Sequence, residues 1–297
     1  MPLVLFIARH ARDSGRGEVD QRSWTLIFAF ILLVLGAGAG LFFYLRRTPP
    51  YLAHAEYWVY SKALELPSTE KLMVRLVGEN PYVQQGQNPI GGAEGLVLSD
   101  IRLKIALILQ KKNPKLFEGR LLPKAIEDHH EFVSDVGTFN SIVKLQYVST
   151  TKLKDKRHLQ FLMHAADAVA EISNAIWIYD KITGTLRSNE EQAEILKKYF
   201  NVTKLEFHVR FVANEDNTFS SYGLSKVGIP DFDTHTVSGD QVQLVREILE
   251  KYMALSWERG EMFPDPITAY DDEFFIIQKP TRGGRTTMRI VRKQLVP

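Results

Sequence analysis

His164, Asp167 and Glu171 are spaced by three and four residues, which sets an imidazole and two carboxylates on one face of a helix. Such a set can move protons at a bond being hydrolysed, or it can form a polar stripe beside an apolar one, and the spacing serves either role. Asp128, His129, His130 and Glu131 are the densest run of metal-ligand types. Adjacent side chains diverge on a helix or a strand, and no H-x-x-x-H or H-E-x-x-H spacing brings these together, so a solvated run is expected there. Gly91-Gly-Ala-Glu-Gly95 lacks the G-K-[ST] ending of a phosphate loop, and no G-x-S-x-G elbow occurs. Cysteine is absent, which removes thiol nucleophiles. Asn201-Val-Thr203 is a glycosylation sequon only if the chain enters a eukaryotic lumen. No metal and no cofactor is expected, and an enzyme, a cell-envelope hydrolase using His164, Asp167 or Glu171, is the alternative rather than the leading expectation.

The leading binding candidate is cationic. Lys279, Arg282, Arg285, Arg289, Arg292 and Lys293 give residues 274–297 a charge of +6 with no acid among them. They suit anionic lipid head groups, an acidic protein partner or the acidic body of the same chain, and otherwise form one solvated strand face. Residues 1–47 carry +3, and the overall +2 leaves −7 for residues 48–273. An acidic body with basic ends argues against nucleic acid as a partner, since a general nucleic-acid binder spreads positive charge over its main domain.

These residues sit in a chain of 297, 45% hydrophobic and 24% charged, a composition that excludes a disordered tail, a collagen and a disulfide-stapled miniprotein. The apolar content is concentrated in Trp24 to Leu45, 22 residues without a charge. As a helix this run spans roughly 33 Å, enough for a bilayer core of about 30 Å. Trp24 and Tyr44 stand where interfacial aromatics belong, and Arg46-Arg47 closes the run. A cleaved signal peptide would use Ala53-His54-Ala55, but the run is too long for a signal h-region and Arg46, Arg47, Pro49 and Pro50 intervene. Four arginines precede the run, against Arg46, Arg47 and Lys62 after it. Together with the short N-terminal tail this points to a signal anchor in a bacterial inner membrane, with the remainder in the periplasm. A cytoplasmic-facing tethered scaffold is the alternative. Gly36 and Gly40 form a small-xxx-small pair on which two such helices can associate as a homodimer.

The expected organisation is a cytoplasmic tail over 1–23, a transmembrane helix over 24–45, a linker over 46–54, a membrane-proximal part over 55–135 and an α+β domain over 136–297. Residues 55–77 mix strand-like Tyr57–Tyr60 with the apolar run Leu72–Val77. Five glycines and two prolines make 78–95 a long loop, and 96–110 reads as a buried helix or a strand pair. Ser141–Val148 alternates as a strand, a basic patch of Lys152, Lys154, Lys156 and Arg157 follows, and Leu159 to Ala170 repeats as an amphipathic helix. Ala175–Tyr179 is a short strand ended by the Asp180–Gly184 turn, and Ser188-Asn-Glu-Glu191 is a capping box opening a helix to Phe200. Leu205, Phe207, Val209 and Phe211 alternate with polar residues as a strand, which should form a hairpin with Phe219–Tyr222. Ser238-Gly-Asp240 caps a helix carrying Val242, Val245, Leu249, Tyr252 and Met253, and strands near Phe274–Ile277 and Met288–Val291 close the chain. Strands and helices mix without a βα repeat, so the expected class is α+β, a mixed antiparallel sheet and helices behind a single membrane helix.

The order of elements over residues 142–240 resembles uncharacterised bacterial domain families of unknown function. The resemblance is carried by Ala165-Ala-Asp-Ala-Val-Ala170, Ile176-Trp-Ile-Tyr-Asp180, Tyr222-Gly-Leu224 and Gly228-Ile-Pro-Asp231, and it implies no activity. With topology and the missing catalytic motifs, it leads to the expectation of a protein that works by protein–protein contact, as an accessory or immunity component beside an envelope or secretion machine.

Overall fold

A computed structural model describes residues 52–118, 129–269, 272–281 and 284–292. The expected membrane helix, with Gly36 and Gly40, lies outside them, as do Asp128, Arg282 and Lys293. Among the described residues no helix is long and apolar enough to cross a membrane. Residues 1–49 and 50–297 form two separate units, and the second holds everything described here.

That second unit is α+β, built on two sheets. The first sheet is antiparallel and five-stranded, made from β1 (Ala53–Ser61), β2 (Leu103–Leu109), β3 (Ser141–Ser149), β4 (Trp177–Asp180) and β5 (Thr185–Ser188), in the order β2-β3-β1-β4-β5. The expected membrane-proximal part, 55–135, therefore supplies β2 and nearly all of the central strand β1 to a sheet whose other strands come from 136–297. β1 is apolar almost throughout because both of its faces are covered. Ala55, Tyr57 and Val59 join the larger core, while Trp58 and Tyr60 join a second core with Phe132, Phe139 and Trp177 on the opposite side. Tyr60 meets the ring of Phe132 edge-on at 4.9 Å.

The helix over Arg157–Ile172 packs across this sheet. Thirteen of its sixteen residues are buried, including His158, His164 and Asp167, so the expected amphipathic helix is enclosed on its polar side as well. Helices Thr69–Met73, Gly92–Gly95 and Asn189–Lys198 cover the side that the sequence pattern left to solvent. Ala165, Ala166, Ala168 and Ala170 keep it narrow enough to be enclosed. In chain order these helices are α1 (Thr69–Met73), α2 (Gly92–Gly95), α3 (His130–Asp135), α4 (Arg157–Ile172) and α5 (Asn189–Lys198).

The run Leu72–Val77 is helical, passing from α1 into a π turn over Val74–Gly78. The long loop persists over 79–91, pinned by a Gln84–Gln87 bridge, and 96–110 divides into a 3-10 turn and β2. The capping box is formed: the Ser188 hydroxyl accepts from the Glu191 amide at 3.1 Å, and the Glu191 carboxylate accepts from the Ser188 amide at 2.8 Å. Ser188→Ala is expected to lower stability by about 1 kcal/mol, read as a lower urea midpoint; an unchanged midpoint would count against a cap that matters.

The second sheet has six strands in the order β6-β7-β8-β11-β10-β9: β6 (Arg210–Ala213), β7 (Phe219–Tyr222), β8 (Phe232–Thr234), β9 (Ile267–Ala269), β10 (Asp272–Pro280) and β11 (Thr286–Arg292). β8 and β11 run parallel, and the other pairs are antiparallel. The expected strand over 205–211 is corrected here. Leu205–His208 is a single helical turn, α6, and the strand starts only at Arg210. The apolar–polar alternation misleads because His208 is not a solvent-facing residue: it is buried, with its Nε2 donating to the Val202 carbonyl at 2.6 Å. The last long helix, α7 (Val242–Arg259), packs on this sheet, and the Tyr252 hydroxyl takes a 2.8 Å bond from Gln278 of β10.

Candidate functional site

α4 does bring His164, Asp167 and Glu171 to one side, but they meet residues that sequence spacing did not join to them. Arg75 of the π turn donates from Nη2 to Asp167 at 2.9 Å and from Nε to Glu171 at 2.6 Å. Tyr82 donates its hydroxyl to the same Asp167 oxygen at 2.8 Å. Burial pushes the Asp167 carboxyl up to about 6, against the bonds from Tyr82 and Arg75 that favour its charged form. His164 is driven down to about 3 by burial and by Arg75. Its ring meets Tyr82 at 5.6 Å, and its Nδ1 has no partner among the described residues. The group fastens the segment from α1 to Tyr82 onto α4, and only Glu171 reaches solvent, with its side chain 58% exposed. A lone arginine inside the apolar run Leu72–Val77 was the sequence signal that a buried counter-ion must exist.

A second buried charge pair joins the two sheets. Asp180 ends β4, and Lys226 lies in a 3-10 turn over Leu224–Val227 that follows β7. Their side chains are 1% and 0% exposed and share a short hydrogen bond from Nζ. The other Asp180 oxygen accepts from the amides of Ile182 and Thr183 at 3.2 and 3.4 Å. The Tyr57 ring lies 5.4 Å from the ammonium, and its hydroxyl is 3.2 Å from His208 Nδ1. Since His208 Nε2 donates to Val202, that Nδ1 accepts from Tyr57. Burial lowers the Lys226 pKa while Asp180 opposes the shift, and burial holds His208 well below the usual imidazole range. Gly223 makes the turn possible: its φ is +115°, and a Cβ there would stand 2.0 Å from the His208 carbonyl oxygen.

The six terminal cations divide. Arg285 is committed inward, with Nε and Nη2 each 2.7 Å from Asp233 and Nη2 also donating to the carbonyls of Phe232 and Ser221. Arg292 is tied to Asp272 at 2.6 Å. Lys279 and Arg289 are exposed on the β10–β11 hairpin and have no ion partner among the described residues. The hairpin register sets Ile277 opposite Arg289 and Phe275 opposite Val291, and Phe275 and Ile277 are 41% and 54% exposed on the same outer face. Of the Asp128–Glu131 run, His130 and Glu131 are exposed, and His129 lies 6.2 Å from the Trp177 ring. Among the described residues no group of three or more His, Asp or Glu side chains is placed to hold a metal ion. No protein-family model, curated protein or solved structure matches the chain, and the resemblance over residues 142–240 gains no support from these comparisons.

Proposed function

We propose that the chain is a membrane-anchored interaction protein whose α+β body contacts a protein partner through the outer face of the β10–β11 hairpin. The observation that carries this reading is that face. Phe275 and Ile277 are exposed beside Lys279 and Arg289, which have no ion partner among the described residues, whereas Arg285 and Arg292 are spent on acids of the same chain. Exposed apolar side chains rimmed by unpaired charge are the composition of a contact surface rather than of an idle one. The anchor rests on the 22 uncharged residues 24–45, with seven residues between them and β1. Gly36 and Gly40 offer that helix a seam for a second copy. The arginine distribution and the short tail favour a body in the periplasm, beside an envelope or secretion machine as an accessory or immunity component.

Two measurements test this. Reporters that work on only one side of the membrane, fused after residue 297, should be active outside the cytoplasm; activity on the inner side would make the chain a cytoplasmic scaffold. A photo-crosslinker placed at Ile277 in intact cells should give one discrete adduct that Arg289→Glu abolishes. The same adduct from a crosslinker at Glu190, or one indifferent to Arg289→Glu, would remove the hairpin as the contact surface.

A further inference from the structure

We infer that a cavity beside the first turn of α4 binds a small organic phosphate. The cavity encloses about 400 Å³, within the range of about 300–1,000 Å³ usual for small-molecule sites. Its walls reverse the sign of the surrounding protein. In a body carrying −7 over residues 48–273, the lining holds Arg102, Lys152, Lys154 and Arg157 against Asp100 and Asp155, a local excess of two positive charges. That excess favours an anionic ligand such as a phosphomonoester.

The two guanidinium groups are set in place by neighbouring acids. Arg102 grips Asp100 through Nε at 2.9 Å and Nη2 at 2.6 Å, and its plane lies 5.3 Å from the Tyr147 ring. Arg157 grips Asp155 through Nε at 2.8 Å and Nη2 at 2.5 Å. Neither arginine's Nη1 has a hydrogen-bond partner among the described residues, so an incoming oxyanion meets donors already oriented by an acid. Lys152 is bridged to Glu261 outside the cavity, whereas Lys154 is exposed and has no partner among the described residues.

His158 forms part of the cavity wall. It lines the cavity although only 3% exposed, stacked on Tyr147 at 4.6 Å with 22° between the planes. Its Nε2 donates to the Lys226 carbonyl at 3.0 Å, and burial holds the ring neutral, down to about 4. Nδ1 is then the acceptor of the ring. The ligand that the charged lining calls for is an anion. Leu96, Val97 and Leu153 give it an apolar wall.

Isothermal titration of the full chain in detergent micelles, with ribose 5-phosphate as probe and ribose as its neutral counterpart, tests the assignment. Ribose 5-phosphate should bind with a Kd below about 1 mM and ribose should not bind at all. Lys154→Glu and Arg157→Gln alter exposed side chains, and each should weaken binding at least about tenfold while thermal unfolding stays unchanged. An absence of binding at about 10 mM, or an affinity that both variants leave unaltered, overturns the proposal. Equal binding of ribose overturns it as well. The membrane anchor plays no part in this argument, so a failed topology test leaves it standing.

Discussion

Substituting Lys226 with methionine should lower the unfolding free energy by about 3–5 kcal/mol, because it strands a buried carboxylate between the two sheets. Asp180 would keep its two backbone amide bonds but lose the ammonium that neutralises it at 1% exposure. Water cannot replace that partner, and the methionine thioether accepts hydrogen bonds only weakly and donates none. The double variant Lys226→Met with Asp180→Asn should recover much of the loss, since the amide removes the charge and retains an oxygen for the turn. Urea denaturation of the purified chain measures both. A single variant that loses less than about 1 kcal/mol would mean that the pair is not the fastening between the sheets that its burial indicates.

Acidification from pH 7 to pH 5 should destabilise the fold by about 4 kcal/mol, through three imidazoles rather than through the carboxylates. His158 and His164 are lowered to about 4 and about 3 chiefly by burial, and His208 lies well below its usual value. Between pH 6.5 and the lowered values, the unfolded chain binds these protons and the folded chain does not, so stability falls as pH falls. Each imidazole that stays neutral to pH 5 contributes about 2 kcal/mol to that loss. Asp167 acts in the opposite direction. Its carboxyl is raised to about 6, so the folded chain takes a proton that the unfolded chain refuses, and acidification returns about 1 kcal/mol. Asp100, held down to about 2 by Arg102, keeps its charge throughout this range. Unfolding free energies at pH 7 and pH 5 in wild type and in His164→Leu decide the matter. The variant should lose only about half as much on acidification, and an equal loss would show that His164 is not among the titrating groups.

Much of the secondary structure was legible because its causes are local. The capping box at Ser188, the three-and-four repeat of α4, the alternation of β3 and the glycine turn at Gly184 each depend on residues within a few positions of one another. The strand read over 205–211 failed for the complementary reason. Its alternation says which side chains are polar but not that one of them, His208, is drawn inside by Val202 and Tyr57. α4 teaches the same lesson: its polar residues looked outward-facing until α1, α2 and α5 were laid over them.

The sequence by itself determined the apolar segment, the segregation of charge, the α+β class and the common face of His164, Asp167 and Glu171. Only the tertiary structure decided what those charges do. Arg75 reaches Asp167 across 92 positions, Asp180 reaches Lys226 across 46, and Asp233 captures Arg285 across 52. An ion pair forms wherever the fold brings opposite charges within a few ångströms, and periodicity along the chain carries no information about that distance. The same holds for the cavity: Arg102 and Arg157 line it together only because the fold sets the turn before β2 beside the first turn of α4.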